Sequence, residues 1–197
     1  SFLRSFSILL PILALALLAG PRLTAQEFSF LAGGMSTASH NRLNELATGE
    51  SSYSWQLDFR HAFDGHYAWS ASWLNEGHAA THHRDGFASQ LWAQVLSSDR
   101  FELSFGAGAY RYFDTQLLAS GETTNLHGWT PIYSSSFTYY TASPWFLRLT
   151  ANRVSQARGL ATNTLLLGAG YLLSKDSPDR RRALHRGFWE TQRTPAE

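Results

Sequence analysis

The chain has 197 residues, with 16 basic and 15 acidic side chains, a formal charge of +1 and no cysteine. That near-neutral balance carries no nucleic-acid footprint, and without cysteine an exported domain cannot be stapled by disulfides. A mean hydropathy of −0.24 is too polar for a helical membrane protein of this size.

The N-terminus reads as an address. Arg4 precedes an apolar run over residues 8–19, broken by Pro11, and Leu23-Thr24-Ala25, with small Ala25 last, then precedes Gln26. This predicts a secretory signal peptide over residues 1–25, with cleavage after Ala25. The run is short of the about 20 residues that a spanning helix needs. Removing Arg4 and Arg22 from the 16 basic residues leaves 14 against 15 acidic, a mature charge near −1.

A first strand is expected over residues 27–34, followed by a polar loop over 36–51. The next stretch is the clearest in the chain. Tyr53, Trp55, Leu57 and Phe59 alternate with Ser54, Gln56, Asp58 and Arg60; the chain turns at Phe63-Asp64-Gly65-His66; and Tyr67, Trp69, Ala71 and Trp73 then alternate with Ala68, Ser70 and Ser72. A period of two marks strands, and two such runs around Asp-Gly mark a β-hairpin. The bulky apolar residues share one face, while the other holds Asp58 and Arg60 among small residues. The same division recurs downstream with no separate sequence to cover the apolar face, so lipid is the expected cover.

A second loop over 75–85 leads to a strand over 86–96, with Phe87, Leu91, Ala93 and Val95 outward and Gln90, Trp92 and Gln94 inward. Ser97-Ser98-Asp99-Arg100 turns into a fifth strand, where Phe101, Leu103, Phe105, Ala107 and Ala109 oppose Glu102, Ser104, Gly106, Gly108 and Tyr110. A loop over 114–128 precedes a sixth strand over 129–141, Ala142-Ser143-Pro144 turns the chain, and a seventh strand places Trp145, Leu147, Leu149 and Ala151 outward with Arg148, Thr150 and Asn152 inward. After a loop over 155–161, an eighth strand runs over 162–173. The expected fold is all-β, an eight-stranded antiparallel transmembrane up-and-down β-barrel over residues 26–173, with a basic periplasmic tail over 174–197. Short turns alternate with long polar loops, which assigns the turns to the periplasmic rim and the loops to the outside. About eight strands enclose an interior that side chains can fill, so a plugged lumen is expected.

The strand count, this turn and loop rhythm, and the closing segment Leu167-Gly168-Ala169-Gly170-Tyr171-Leu172-Leu173 together resemble small outer-membrane barrels of the OmpA/OmpX architecture. The resemblance covers roughly residues 26–173 and implies a Gram-negative outer-membrane location. It further implies recognition of Gly168, Tyr171 and Leu173 by the barrel-assembly machinery. A weaker resemblance to lipid A deacylases implies a catalytic His followed two positions later by Ser near the outer end of the seventh strand. Here Arg153 stands in the place of that His, before Ser155, and a hydroxyl without a base is not an activated nucleophile.

Chemistry-bearing residues concentrate in the second loop, where Glu76, His78, His82, His83 and Asp85 are candidate metal ligands or acid/base groups, although their spacing matches no specific metal motif. A solvated loop explains the same residues. Inward on the barrel, Asp58, Arg60, Glu102 and Arg148 are expected to pair in a lumen network, since buried charges must be compensated. Arg111 and Trp129 are expected at lipid headgroup level. The expected function is a structural or surface-contact barrel touching outer-membrane lipid and lipopolysaccharide, a monomer without cofactor. Two alternatives stay open: an enzyme modifying outer-leaflet lipid A or glycan through the histidine-rich loop, and a narrow small-solute channel.

Overall fold

The computed structural model describes residues 26–39, 51–62, 66–79, 82–98, 100–118, 120–157 and 160–173. The expected signal peptide and the basic tail both lie outside the described residues. Strands β1 (Gln26–Ser39), β2 (Ser51–Ala62), β3 (Tyr67–Ala79), β4 (His82–Ser97), β5 (Phe101–Leu117), β6 (Thr123–Tyr140), β7 (Trp145–Ala157) and β8 (Leu160–Leu172) follow one another. Each pairs antiparallel with the next, and β1 closes the ring on β8. The closing ladder runs from Glu27 opposite Leu172 to Ser39 opposite Leu160. Closure removes both sheet edges where every strand pairs on both sides, so backbone groups across the apolar band are satisfied within the ring, the condition for crossing hydrocarbon.

The period of two sorts side chains into an outer and an inner surface, and the sorting is the reverse of a water-soluble sheet. Leu91 and Leu167 are 64% and 62% exposed, whereas Asp58 and Arg148 are 2% and 1% exposed. Leu57, Leu91, Phe105, Leu147, Leu149, Leu165 and Leu167 form an outer apolar band. Aromatic side chains flank it. Near the short turns Phe101 lies 5.1 Å from Tyr139 and Trp145 lies 5.2 Å from Tyr171. At the opposite rim Trp73 lies 5.7 Å from Phe87 and 6.3 Å from Phe113. An apolar band between two aromatic girdles is the outer surface of a bilayer-spanning barrel.

Inside, large side chains lie over glycines. A Cβ added at Gly106 would come within 2.6 Å of the Trp92 ring, and one at Gly170 within 2.1 Å of the Phe146 ring. Pairing a large residue with a glycine is how a narrow barrel fills its taper. Leu31, Leu74, Ala88, Tyr110, Ile132, Val154 and Leu166 form an apolar layer in the lumen. A smaller one, Tyr140, Phe146 and Leu172, lies at the short-turn end.

Four expected loops are corrected: in the stretch 36–51, β1 continues to Ser39 and β2 begins at Ser51, and three others shorten further. The stretch 75–85 is strand up to Ala79 and again from His82, the stretch 114–128 is strand except between Leu117 and Thr123, and the stretch 155–161 is strand except between Ala157 and Leu160. Histidine, asparagine and threonine there mark solvent exposure without loss of the ladder, because hairpins go on pairing beyond the apolar band. The asymmetry between the rims is thus one of strand overhang more than of loop length. In the β3–β4 hairpin the register shifts between Asn75 and Gly77, leaving Glu76 as the extra residue of a β-bulge.

Candidate functional site

The barrel holds charge in two inner groups. Toward the short-turn end, Arg148 on β7 donates from Nη2 to Glu27 Oε2 at 2.5 Å, from Nη1 to Asp58 Oδ2 at 3.3 Å and from Nε to Thr138 Oγ1 at 3.0 Å. Its guanidinium also stacks 4.7 Å from the Phe146 ring centroid. Arg60 on β2 lies 3.8 Å from Glu102 and 4.0 Å from Asp58, donates to Ser104 Oγ at 3.3 Å, and covers the Trp92 ring at 3.8 Å. The Tyr140 hydroxyl stands between Glu27 Oε1 at 3.0 Å and Glu102 Oε2 at 3.1 Å. With a single proton it donates to one carboxylate at a time. The structure therefore brings Asp58, Arg60, Glu102 and Arg148 into one buried cluster and adds Glu27 and Tyr140. Glu27 alternates in register with Ser29 and Leu31 at the start of β1, so its inward direction is readable once that strand is assigned faces.

The second group lies toward the opposite rim. Arg84 donates from Nε to Glu76 Oε1 at 2.8 Å and from Nη2 to Glu76 Oε2 at 2.6 Å, a two-pronged pair. Thr162 on β8 joins both partners, accepting from Arg84 Nη2 at 2.8 Å and hydrogen-bonding Glu76 Oε2. Sequence reasoning missed Arg84 because it placed residues 75–85 in a loop, where facing is undefined, and it missed Thr162, at the first residue of the expected eighth strand, because its partners Glu76 and Arg84 lay in that loop.

The five loop candidates are divided by the barrel wall. Glu76 is fully buried and faces the lumen. His78 and His83 are cross-strand partners beyond the aromatic girdle, with ring centroids 4.2 Å apart. Asp85 alternates with His83 along β4 and so shares its outer face. The backbone of His82 pairs with Ala79 and Gln116; its side chain lies outside the described residues. The Glu76 carboxylate is thereby held apart from the imidazoles, and among the described residues no group of three or more His, Asp or Glu side chains could hold a metal ion.

On the outer surface Arg111 pairs across strands with Trp129 and Phe87. Its guanidinium lies 5.6 Å from the Trp129 ring centroid and 5.9 Å from that of Phe113. A cation framed by aromatic rings at the edge of the apolar band can meet an anionic headgroup. Arg153 instead donates to Asn163 Oδ1 at 3.0 Å on the outer face, while the Ser155 carbonyl accepts from Thr130 Oγ1 at 2.8 Å. On the closing strand Gly168 lies tight against β1, where an added Cβ would stand 1.9 Å from the Phe30 carbonyl oxygen. Tyr171 packs outward on Trp145, and Leu173 N donates to Gln26 O at 2.8 Å.

No protein-family model matches this chain. No curated protein matches it either. Solved structures do. The N-terminal barrel of OprF from Pseudomonas aeruginosa aligns over 76% of this chain and 97% of that one, with a TM-score of 0.56 at 10% identity. Neisserial surface protein A aligns over 75% and 95%, with a TM-score of 0.55 at 10% identity. Ail, the attachment invasion locus protein of Yersinia pestis, solved with the heparin analogue sucrose octasulfate, aligns over 75% and 99%, with a TM-score of 0.52 at 13% identity. The fold is therefore that of the small eight-stranded outer-membrane β-barrels of the OmpA/OmpX type. At these identities the likeness is one of architecture, and function has to be argued from this chain's own side chains.

Proposed function

We infer that the chain is an integral outer-membrane barrel whose lumen is closed by its own side chains and whose role is structural or one of surface contact. The observation that carries this reading is the inner charge cluster. Arg148, Arg60, Glu27, Asp58 and Glu102 form ion pairs with one another across the interior, and Trp92, Tyr110 and Phe146 occupy the space beside them. A group of buried, mutually paired charges joins strands and leaves none of its members committed to substrate. The splitting of Glu76 from the histidines likewise supports a non-enzymatic role for the overhanging hairpins.

In this reading the short turns face the periplasm, the overhanging strands face outward, and a single copy is assembled through Gly168, Tyr171 and Leu173 on the closing strand. Arg111, with Trp129 and Phe113 beside it, contacts the phosphates of outer-leaflet lipid, with lipopolysaccharide as the partner. Two measurements test the proposal. In a planar lipid bilayer the folded barrel should add no unitary conductance; steady openings would overturn the closed lumen. In native mass spectrometry, lipid A should be retained on the detergent-extracted barrel and lost from Arg111→Ala, with sucrose octasulfate as a competing polyanion. Equal retention by the variant would remove Arg111 from the contact.

A further inference from the structure

The bulge at Glu76 sets up a second arrangement, on the other side of the wall. In an unbroken strand residue 78 would share the inward face of Leu74 and Glu76, because side chains alternate. The extra residue reverses the alternation, so that His78 comes to lie opposite His83 on the outer surface. Gly77 makes this possible. Its φ of +86° belongs to the left-handed region that glycine enters without penalty, and an added Cβ would stand 1.9 Å from the Tyr53 carbonyl oxygen. The bulge is pinned on both sides: Gly77 N donates to Asn75 Oδ1 at 2.9 Å, and His78 N donates to Ser52 Oγ at 3.0 Å.

Two imidazoles result whose ring centroids are 4.2 Å apart and whose planes differ by 30°. Tyr53 walls one side, its ring 6.1 Å from His78. The His83 Nδ1 is buried and has no hydrogen-bond partner. Neutral imidazole is the form that binds metal. Metal–nitrogen bonds of about 2.0–2.1 Å require two donor nitrogens a little over about 3 Å apart, so the two rings must turn about their side-chain bonds to aim one nitrogen each at a shared ion. The Asp85 carboxylate, two residues along the same face of β4, adds negative charge nearby.

We propose that His78 and His83 form a two-imidazole cross-strand clamp for a divalent transition-metal ion at the outer rim of the barrel, with copper(II) the preferred ion. Imidazole donors suit copper, nickel and zinc, and affinity along the first row peaks at copper(II). With two protein donors the remaining coordination positions stay open to water or to a donor from outside.

The test is copper(II) titration of the folded, untagged full chain in detergent, read by calorimetry and by electron paramagnetic resonance. The expected result is one tight copper per chain, with hyperfine structure from two equatorial nitrogens. His78→Asn and His83→Asn should each weaken binding by at least the about tenfold that losing even an outer-shell partner costs, and each should lose one nitrogen from the spectrum. His61→Asn and His127→Asn should leave both readouts unchanged. Gly77→Ala keeps both imidazoles but disturbs their alignment, so it should weaken binding without removing either ligand. Heat-dependent gel mobility would verify that each variant is folded. Copper affinity unchanged in both His78→Asn and His83→Asn, or lost in His82→Asn while His78→Asn retains it, would overturn the clamp.

Discussion

Arg148 Nη2 and Glu27 Oε2 meet at 2.5 Å although 121 residues separate them. Strand β8 lies between their strands, and its Gly168 sits opposite Arg148 in the ladder. With no side chain at that position, the guanidinium can lie across β8 and reach β1, and the same group continues to Asp58 on β2. The first, second and seventh strands are thus joined inside the ring by one cation, which reaches Glu27 and Asp58 only when the barrel is closed.

Arg148→Ala should therefore be the most damaging single substitution in the lumen. It strands Glu27 and Asp58 in the interior, and an unpaired buried charge costs about 3–5 kcal/mol. Urea unfolding of the barrel in phospholipid vesicles, followed by tryptophan fluorescence, measures it. A loss below about 1 kcal/mol, the range of exposed ion pairs, would mean that water reaches the cluster. Asp58→Ala should destabilise in the same direction.

The Glu76–Arg84 pair should show strong coupling. Glu76→Ala alone leaves Arg84 charged and buried, whereas replacing both residues by apolar ones of similar volume removes the desolvated charges together, a change that is often neutral or stabilising. The double variant Glu76→Leu/Arg84→Met should consequently be more stable than Glu76→Ala. Additive losses in a double-mutant cycle would show that the two side chains act independently.

Two glycines should respond in opposite ways to the same added methyl group. At Gly106 the new Cβ meets the Trp92 ring at 2.6 Å, and overpacking of this kind costs about 1–3 kcal/mol. At Gly34 the nearest atom is Ser52 O at 3.8 Å, an ordinary contact. Gly34→Ala should be close to neutral or slightly stabilising, by about 0.4–1 kcal/mol through the unfolded chain. Comparable unfolding midpoints for the two variants would argue against the packing of Trp92 over β5.

Closure and orientation have their own readouts. Folded protein should migrate faster on a gel before boiling than after, because the ring resists denaturation, and its circular dichroism should be that of β-structure. On intact cells, added protease should spare the bond between Asp64 and Gly65. Cleavage there in sealed cells would invert the assignment of the rims.

The sequence by itself determined the architecture. Alternation is strict in β2 and β5 and in the stretches 67–74 of β3 and 145–154 of β7, side chains on a strand have only two faces, and an apolar face with no sequence to cover it leaves lipid as the partner. The inward direction of Asp58, Arg60, Glu102 and Arg148 followed from the same parity. Sequence did not reveal how far the ladder continues, since the polar residues of 75–85 and 114–128 suit a solvated strand as well as a loop. Nor did it reveal the bulge, because one extra residue leaves composition unchanged while reversing the face of everything beyond it. Partner choice was the other thing only the tertiary structure decided. Arg84 finds Glu76 and Thr162, and Arg148 finds Glu27, because ring closure brings β8 and β1 together, and which inward side chains then meet depends on the tilt and stagger of the strands, which no local pattern encodes.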